Sequence, residues 1–211
     1  HLRWFLKSID YDVKNIQIRT FKKEIIALTI DELRLLESID VSNKIELQKA
    51  KDMFLLGCYT GLRISDLKRI NETRLIDNTI KMILQKNQKE VTIPLRPETR
   101  EILERYNLSS PKISEPQLNE YIKIVCDTAG INKEVTIKSN KAGKDVESRI
   151  KKCKLITSHT ASKTFITLAP QRFGLTPPEI AAIVGKDLKT LINHYFQLPL
   201  ETAIKKMNQT P

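Results

Sequence analysis

The sequence predicts a mainly α-helical domain with one small antiparallel β-sheet, which places it in the α+β class. Apolar residues recur at helical spacing over most of the chain. The middle of the chain differs, because two runs of alternating polar and apolar residues flank the polar turn at residues 86–89, a pattern typical of a β-hairpin. Pro94 suits the end of an edge strand in that hairpin.

The ends of the predicted helices are marked by capping residues, prolines and glycines. Thr29 and Glu32 have the spacing of a capping box, Gly61 and Gly130 mark helix ends, and Pro177 suits a helix start. Residues 133–154 are lysine-rich and are predicted to be a weakly structured, mobile or extended connection. The first predicted helix begins at Thr29. The others cover about 42–58, 65–70, 97–106, 114–130, 158–172, 177–184, 188–197 and 200–208.

The first 22 residues differ from the rest of the chain. Leu2, Phe5 and Ile9 lie on one helical face, and the periodicity is then lost. This pattern predicts that residues 1–22 are the end of a truncated N-terminal domain with its linker, and that residues 23–211 form one domain. A short packing arm would give the same pattern.

Charge points towards a polyanionic partner. Lys and Arg number 36 against 25 Asp and Glu, so the formal net charge is +11. Such an excess favours nucleic acid, although a basic protein without a polyanionic partner has the same composition. No apolar run reaches the roughly 18 residues of a membrane span, and the residues from His1 onward do not have the pattern of a secretory signal. The cysteines lack the spacing of a metal site, which favours free thiols in a reducing cytoplasm.

Each candidate residue for chemistry also has an ordinary structural explanation. Arg63 can be a surface arginine at a helix start, and Lys86 a solvated charge in a turn. His159 can lie beside a helix cap, and Tyr195 can pack half-buried on a helix. Their order and spacing therefore carry the functional hypothesis.

Four segments, in the expected order, resemble the conserved boxes of the tyrosine recombinase (phage integrase) family. They are TGLRISDL at 60–67, like the first arginine box; KNQKEVTIPL at 86–95, like the catalytic hairpin with its turn lysine; SHTASKTF at 158–165, like the His-x-x-Arg box; and GKDLKTLINHY at 185–195, in which the tyrosine follows the glycine by ten residues. In style the boxes are most similar to integrases of Bacteroidetes mobile elements. The resemblance implies the catalytic-domain fold of the family.

The resemblance also implies a mechanism without metal or ATP. Tyr195 attacks a phosphate and forms a 3′-phosphotyrosine, which stores the energy for rejoining. Arg63 binds the phosphate oxygens, and Lys86 is the general acid for the departing 5′ oxygen. His159 contacts the phosphate and assists proton transfer. Asp66 either orients Arg63 or is an ordinary acidic residue at a helix start.

Two positions depart from the family pattern. Ser162 stands where the second arginine belongs, and it cannot supply a cationic fork. The serine has three explanations: natural decay into an inactive relative, an engineered substitution, or a lost arginine whose role Lys186 or Lys163 takes over. Lys163 points roughly 100° from Ser162 on a helix, so it is not counted as a replacement. Lys186 stands where the family usually has His or Trp, and it is either a phosphate ligand or a loop lysine.

The leading hypothesis is a DNA recombinase or integrase of a mobile element, and the alternative is a catalytically impaired DNA-binding relative. Two further hypotheses are a topoisomerase-like activity that uses the same tyrosine and a basic DNA-binding protein unrelated to the family. The implied partners are double-stranded DNA, copies of the chain in a tetramer formed through the helix after Pro199, and optionally an accessory DNA-bending protein. Alone, the chain is expected to be a monomer that binds DNA weakly and salt-sensitively in the bacterial cytoplasm, at the nucleoid.

Overall fold

The computed structural model describes residue 8, residues 25–141 and residues 144–195, without the side chains of 138–141, 144, 145 and 194. The chain divides into two compact units. The larger contains Ile25–Val135 and the residues from Arg149 onward, and the smaller contains Thr136–Ser148. The expected boundary at residues 22 and 23, the N-terminal segment before it (apart from the helical Ser8) and the expected helix at 200–208 lie outside the described residues.

The fold is mainly helical with two small sheets, and this confirms the predicted fold class. The strands are β1 (Leu75–Ile76), β2 (Thr79–Ile83), β3 (Glu90–Pro94), β4 (Glu134–Lys141) and β5 (Lys144–Lys151). The helices are α1 (Ile30–Ser38), α2 (Ile45–Thr60), α3 (Ile64–Leu67), α4 (Pro97–Arg105), α5 (Glu115–Thr128), α6 (Lys152–Leu155), α7 (Ser158–Phe173), α8 (Pro177–Val184) and α9 (Leu188–Tyr195).

Local signals placed most helix ends correctly. Thr29 caps α1 in a reciprocal capping box with Glu32, as predicted. Helix α2 begins three residues after the predicted start at 42 and continues to Thr60, where Gly61 ends it with a φ of 72°. Glycine adopts this left-handed conformation without the steric cost that a Cβ brings, so it ends the helix sharply.

The predicted hairpin is confirmed as β2 and β3 of an antiparallel sheet in the order β1-β2-β3. Ile80 pairs with Ile93 and Met82 with Val91, and all four side chains are buried on one face. Pro94 ends the edge strand β3, as predicted. The two-residue strand β1 was not predicted, because two residues show no periodicity.

The prediction of a weakly structured, mobile or extended connection at residues 133–154 is wrong about the weak structure, whereas the extended backbone is present as two strands. These residues form a two-stranded sheet of β4 and β5, followed by α6. Half-buried Val135 and Ile137 alternate with exposed neighbours in β4, and Ser148 and Ile150 do the same in β5. The lysine content suggested disorder, although this period of two is the pattern of a half-buried strand.

Helix α2 forms the centre of the larger unit. Every residue from Ala50 to Thr60 is buried, and α2 packs so closely on α7 that a Cβ at Gly57 would lie 2.7 Å from the Cβ of Ala161. A second apolar cluster joins α7, α8 and α9 through Phe165, Val184 and Leu191. This cluster anchors the helix that carries Tyr195.

None of the helices in the described ranges has the length and apolar character needed to cross a membrane.

Candidate active site

The segment that carries Arg63 lies where three helices meet. Gly61 ends α2, and a Cβ there would lie 2.6 Å from Phe165 of α7 and 2.6 Å from Val184 of α8. Only glycine permits this approach. Two residues later Arg63 is the N-cap residue of α3, and its side chain is partly exposed. The glycine of the box thus brings the arginine to the junction of α2, α7 and α8.

Lys86 lies in the turn between β2 and β3, and its side chain is exposed. The turn is closed by two backbone hydrogen bonds, from Leu84 N to Lys89 O at 2.8 Å and from Gln88 N to Leu84 O at 3.0 Å. Arg69 donates from Nη1 to Ile83 O at 2.9 Å and fixes the base of the turn.

Asp66 connects the arginine segment to this turn. Its side chain is fully buried, and Oδ1 accepts a hydrogen bond from the backbone N–H of Gln85 at 2.8 Å. Oδ1 also lies 3.6 Å from Nη1 of Arg69, while Oδ2 has no hydrogen-bond partner among the described residues. The contacts of Asp66 therefore hold the residue next to Lys86; the expectation that it orients Arg63 stays a prediction.

His159 lies exposed in the first turn of α7. The start of this helix is fixed by a capping box between Thr157 and Thr160. Ser158 adds two contacts to α5, because its N–H donates to Oδ1 of Asn119 and its Oγ to Oε1 of Glu115, both at 2.7 Å. The backbone that carries His159 is therefore held firmly.

Ser162, one turn after His159, is buried with 4% of its surface exposed. Its hydroxyl donates to the carbonyl oxygen of Gly61 at 2.7 Å. Ser162 is thus engaged in the packing of α7 against the end of α2. A neutral group therefore stands at the position that the sequence resemblance assigns to the second arginine.

The positive charges of Arg63, Lys86 and Lys163 act on Lys186, and we call these four residues the cation cluster. Burial, together with the positive charges of the other three, lowers the pKa of Lys186 from its ordinary 10.5 to about 8. Sequence reasoning set Lys163 aside as a replacement for the missing arginine. Its charge nevertheless acts on Lys186, so Lys163 does contribute to the field of the site.

Tyr195 lies beside this cluster. The Nζ of Lys186 is 5.3 Å from the centre of the Tyr195 ring, within reach of a cation–π interaction. Tyr195 is half-buried against the apolar cluster of α7, α8 and α9. Burial raises the pKa of its phenol, whereas the positive charge of Arg63 acts to lower it. Lys186 and Arg63 are thus the two cations whose effect on Tyr195 is direct.

Replacing Lys186 with methionine is expected to stabilise the fold by about 1–3 kcal/mol at pH 7, since one pKa unit corresponds to about 1.4 kcal/mol. The folded-state pKa of about 8 lies below the ordinary 10.5, so the cost of the charge is complete below pH 8 and disappears as the pH rises to 10.5. Urea unfolding of both proteins at pH 7 and 10.5 measures this difference. Lys189→Met, at an exposed position of α9, is the control. Equal effects of the two substitutions would contradict the burial of the Lys186 charge.

Metal ligands are not grouped in the described ranges, where no set of three or more His, Cys, Asp and Glu residues could hold an ion. The three cysteines are buried free thiols.

Comparison with known proteins identifies the fold. No protein-family model matches the chain, and no curated protein matches it. Solved structures do match. XerA recombinase aligns with a TM-score of 0.58 at 18% identity, over 100% of this chain and 74% of that chain. The Tn1549 transposon integrase in complex with a circular intermediate DNA aligns with a TM-score of 0.64 at 16% identity, over 99% and 75%. The fold is that of the tyrosine recombinase catalytic domain.

A lambda integrase tetramer bound to a Holliday junction also has this fold. It aligns with a TM-score of 0.55 at 14% identity, over 89% of this chain and 55% of that chain. Because all three identities are low, the likeness is one of fold. The roles of Arg63, Lys86, His159, Lys186 and Tyr195 therefore stay predictions.

Proposed function

We propose that the chain is a site-specific DNA recombinase or integrase that cuts and rejoins strands through a 3′-phosphotyrosine. The observation that carries the proposal is the position of Lys186 over the ring of Tyr195, with the charges of Arg63, Lys86 and Lys163 acting on that lysine, on a tyrosine recombinase fold. Phosphoryl transfer needs positive charge and hydrogen-bond donors at the phosphate more than it needs covalent chemistry from the protein. The cluster supplies both.

In the proposed reaction, the phenolic oxygen of Tyr195 forms a bond to the scissile phosphorus and the bond to the 5′ oxygen breaks. Lys86 gives a proton to that oxygen, and His159 helps to carry the phenolic proton away. Arg63 binds the non-bridging oxygens through its guanidinium fork, while Lys186 adds charge beside the tyrosine. Rejoining is the reverse, with a 5′-hydroxyl attacking the phosphotyrosine.

Ser162 supports a second candidate, a catalytically impaired relative that binds DNA without cutting it. The hydroxyl carries no charge, and because it donates to the Gly61 carbonyl in the interior, it does not donate to a phosphate either. Loss of one cationic donor in phosphoryl transfer costs about three to five orders of magnitude in rate. Lys163 and Lys186 offset part of this loss in the recombinase proposal, because both bring charge to the site.

The proposed partners are double-stranded DNA and three further copies of the chain, with an accessory DNA-bending protein as an optional addition. The DNA-bound integrases described above support the first two. Contact between copies through the helix expected after Pro199, and a monomer in the absence of DNA, belong to the same proposal. Two further points stay predictions. One is that the protein is located in the bacterial cytoplasm at the nucleoid, and the other is that it recombines a mobile element of the Bacteroidetes type.

Incubation with a nicked suicide duplex that carries the end sequence of the encoding element tests the proposal. An adduct that survives detergent and disappears on proteolysis is the expected result, formed slowly because of Ser162. If only Ser162→Arg forms the adduct, the parent chain is a catalytically impaired relative. If neither protein forms it while both bind the duplex, the enzyme reading is wrong.

A further inference from the structure

Lys86 lies between two residues that are both anchored outside the turn. On one side, the backbone N–H of Gln85 donates to Oδ1 of Asp66 in α3. On the other side, Nδ2 of Asn87 donates to the carbonyl oxygen of Gly185. The second contact joins residues 98 positions apart in sequence. The turn is thereby attached to the segment of Arg63 through Gln85 and to the segment before α9 through Asn87.

The backbone of Gly185 packs directly on the hairpin. Its φ is 61°, and a Cβ built there would lie 2.3 Å from Cδ1 of Leu84 and 3.5 Å from Cγ1 of Val91. The same Cβ would lie 3.6 Å from Nδ2 of Asn87. Two independent observations thus place the end of α8 against the Lys86 turn: a hydrogen bond and a close approach that only glycine allows.

Gly185 is also the residue that leads to the nucleophile. It ends α8 and is followed by Lys186 and then by α9, which carries Tyr195. The contact of Asn87 therefore joins the turn of the general acid to the segment of the attacking group.

We propose that Asn87 is a positioning residue that couples the Lys86 turn to the Gly185 turn, so that Lys86 reaches the departing 5′ oxygen while Tyr195 attacks. This inference rests on the function proposed above. Since Lys86 has a long, exposed side chain, its effectiveness as an acid depends on where its turn is held. A displacement of about 1 Å in a catalytic group costs about a hundredfold in rate.

Leaving-group chemistry tests the role. With the natural 5′ oxygen, Asn87→Ala is expected to slow adduct formation by about 10- to 100-fold. When sulfur replaces that bridging oxygen, the phosphorus–sulfur bond breaks with both electrons staying on sulfur. The thiolate leaves without a proton, so Asn87→Ala and the parent should react at equal rates. Lys86→Ala should show the same pattern with a larger loss.

Lys89→Ala is the matched control, since Lys89 is an exposed lysine of the same turn and does not belong to the cation cluster. It should react like the parent with both substrates. Equal slowing of both substrates by Asn87→Ala would assign Asn87 a general structural role and overturn the proposal. Unchanged rates with both substrates would overturn it as well.

Hydrogen exchange separates this inference from the proposed function. In Asn87→Ala the amides of residues 84–89 should exchange faster, while those of the buried helix α2 should stay unchanged. Unchanged exchange in the turn would show that Asn87 does not anchor it. A parent chain that forms no adduct with either substrate would overturn the proposed function, and the exchange comparison would still decide whether the anchor exists.

Discussion

Replacing Tyr195 with phenylalanine is expected to abolish the covalent adduct and to leave DNA affinity unchanged. The substitution removes only the hydroxyl. The ring stays packed on the apolar cluster of α7, α8 and α9 and under Nζ of Lys186. Without the phenolic oxygen no bond to phosphorus can form. Adduct yield on the suicide duplex and affinity for an intact duplex, measured side by side, test the expectation.

Tyr121 offers a matched control on the same chain. It is a half-buried tyrosine of α5 that packs against the main core, remote in sequence from the four boxes. Tyr121→Phe should form the adduct at the parent's rate. An adduct formed by Tyr195→Phe at that same rate would show that another group attacks the DNA.

Replacing Arg63 with alanine is expected to lower the cleavage rate by about a thousandfold or more. Arg63 is the only guanidinium of the cation cluster, and Ser162 supplies none. Its two parallel donors match a pair of phosphate oxygens, which an ammonium cannot do. Arg63→Lys should therefore recover only part of the rate, and single-turnover measurements with saturating protein give the values for both substitutions.

Arg34→Ala controls for the loss of an arginine. Arg34 is exposed on α1 and pairs with Asp31 at 3.4 Å, so its removal should leave the cleavage rate unchanged. A loss of less than about tenfold in Arg63→Ala would mean that Arg63 does not bind the phosphate in the transition state. The lysines of the cluster would then have to carry that function.

Features set by local sequence were predictable. The capping box of Thr29 and Glu32 and the hairpin around Lys86 depend on residues a few positions apart, and the structure has both. The sheet of β4 and β5 was missed because a high density of lysine hid an alternation that is clear only once exposure is known. Lysines at the exposed positions of a strand look the same in a sequence as lysines in a disordered segment.

Features set by packing were not predictable. The helical angle between Ser162 and Lys163 suggested that only the first could face the site, but close packing of α7 on α2 buries Ser162 against Gly61. Lys163 acts on Lys186 instead. The contact between Asn87 and Gly185 joins distant parts of the chain, so no sequence spacing predicts it.

Chemical identification of the linkage shows directly which residue attacks the DNA. The adduct formed on the suicide duplex would be digested with protease and nuclease, and the residue that retains the nucleotide would be located by mass spectrometry. The expected result is a single modified peptide in which Tyr195 carries a 3′-linked nucleotide. A nucleotide on any other residue, or one attached through a 5′-phosphate, would contradict the assignment of Tyr195 and the proposed reaction.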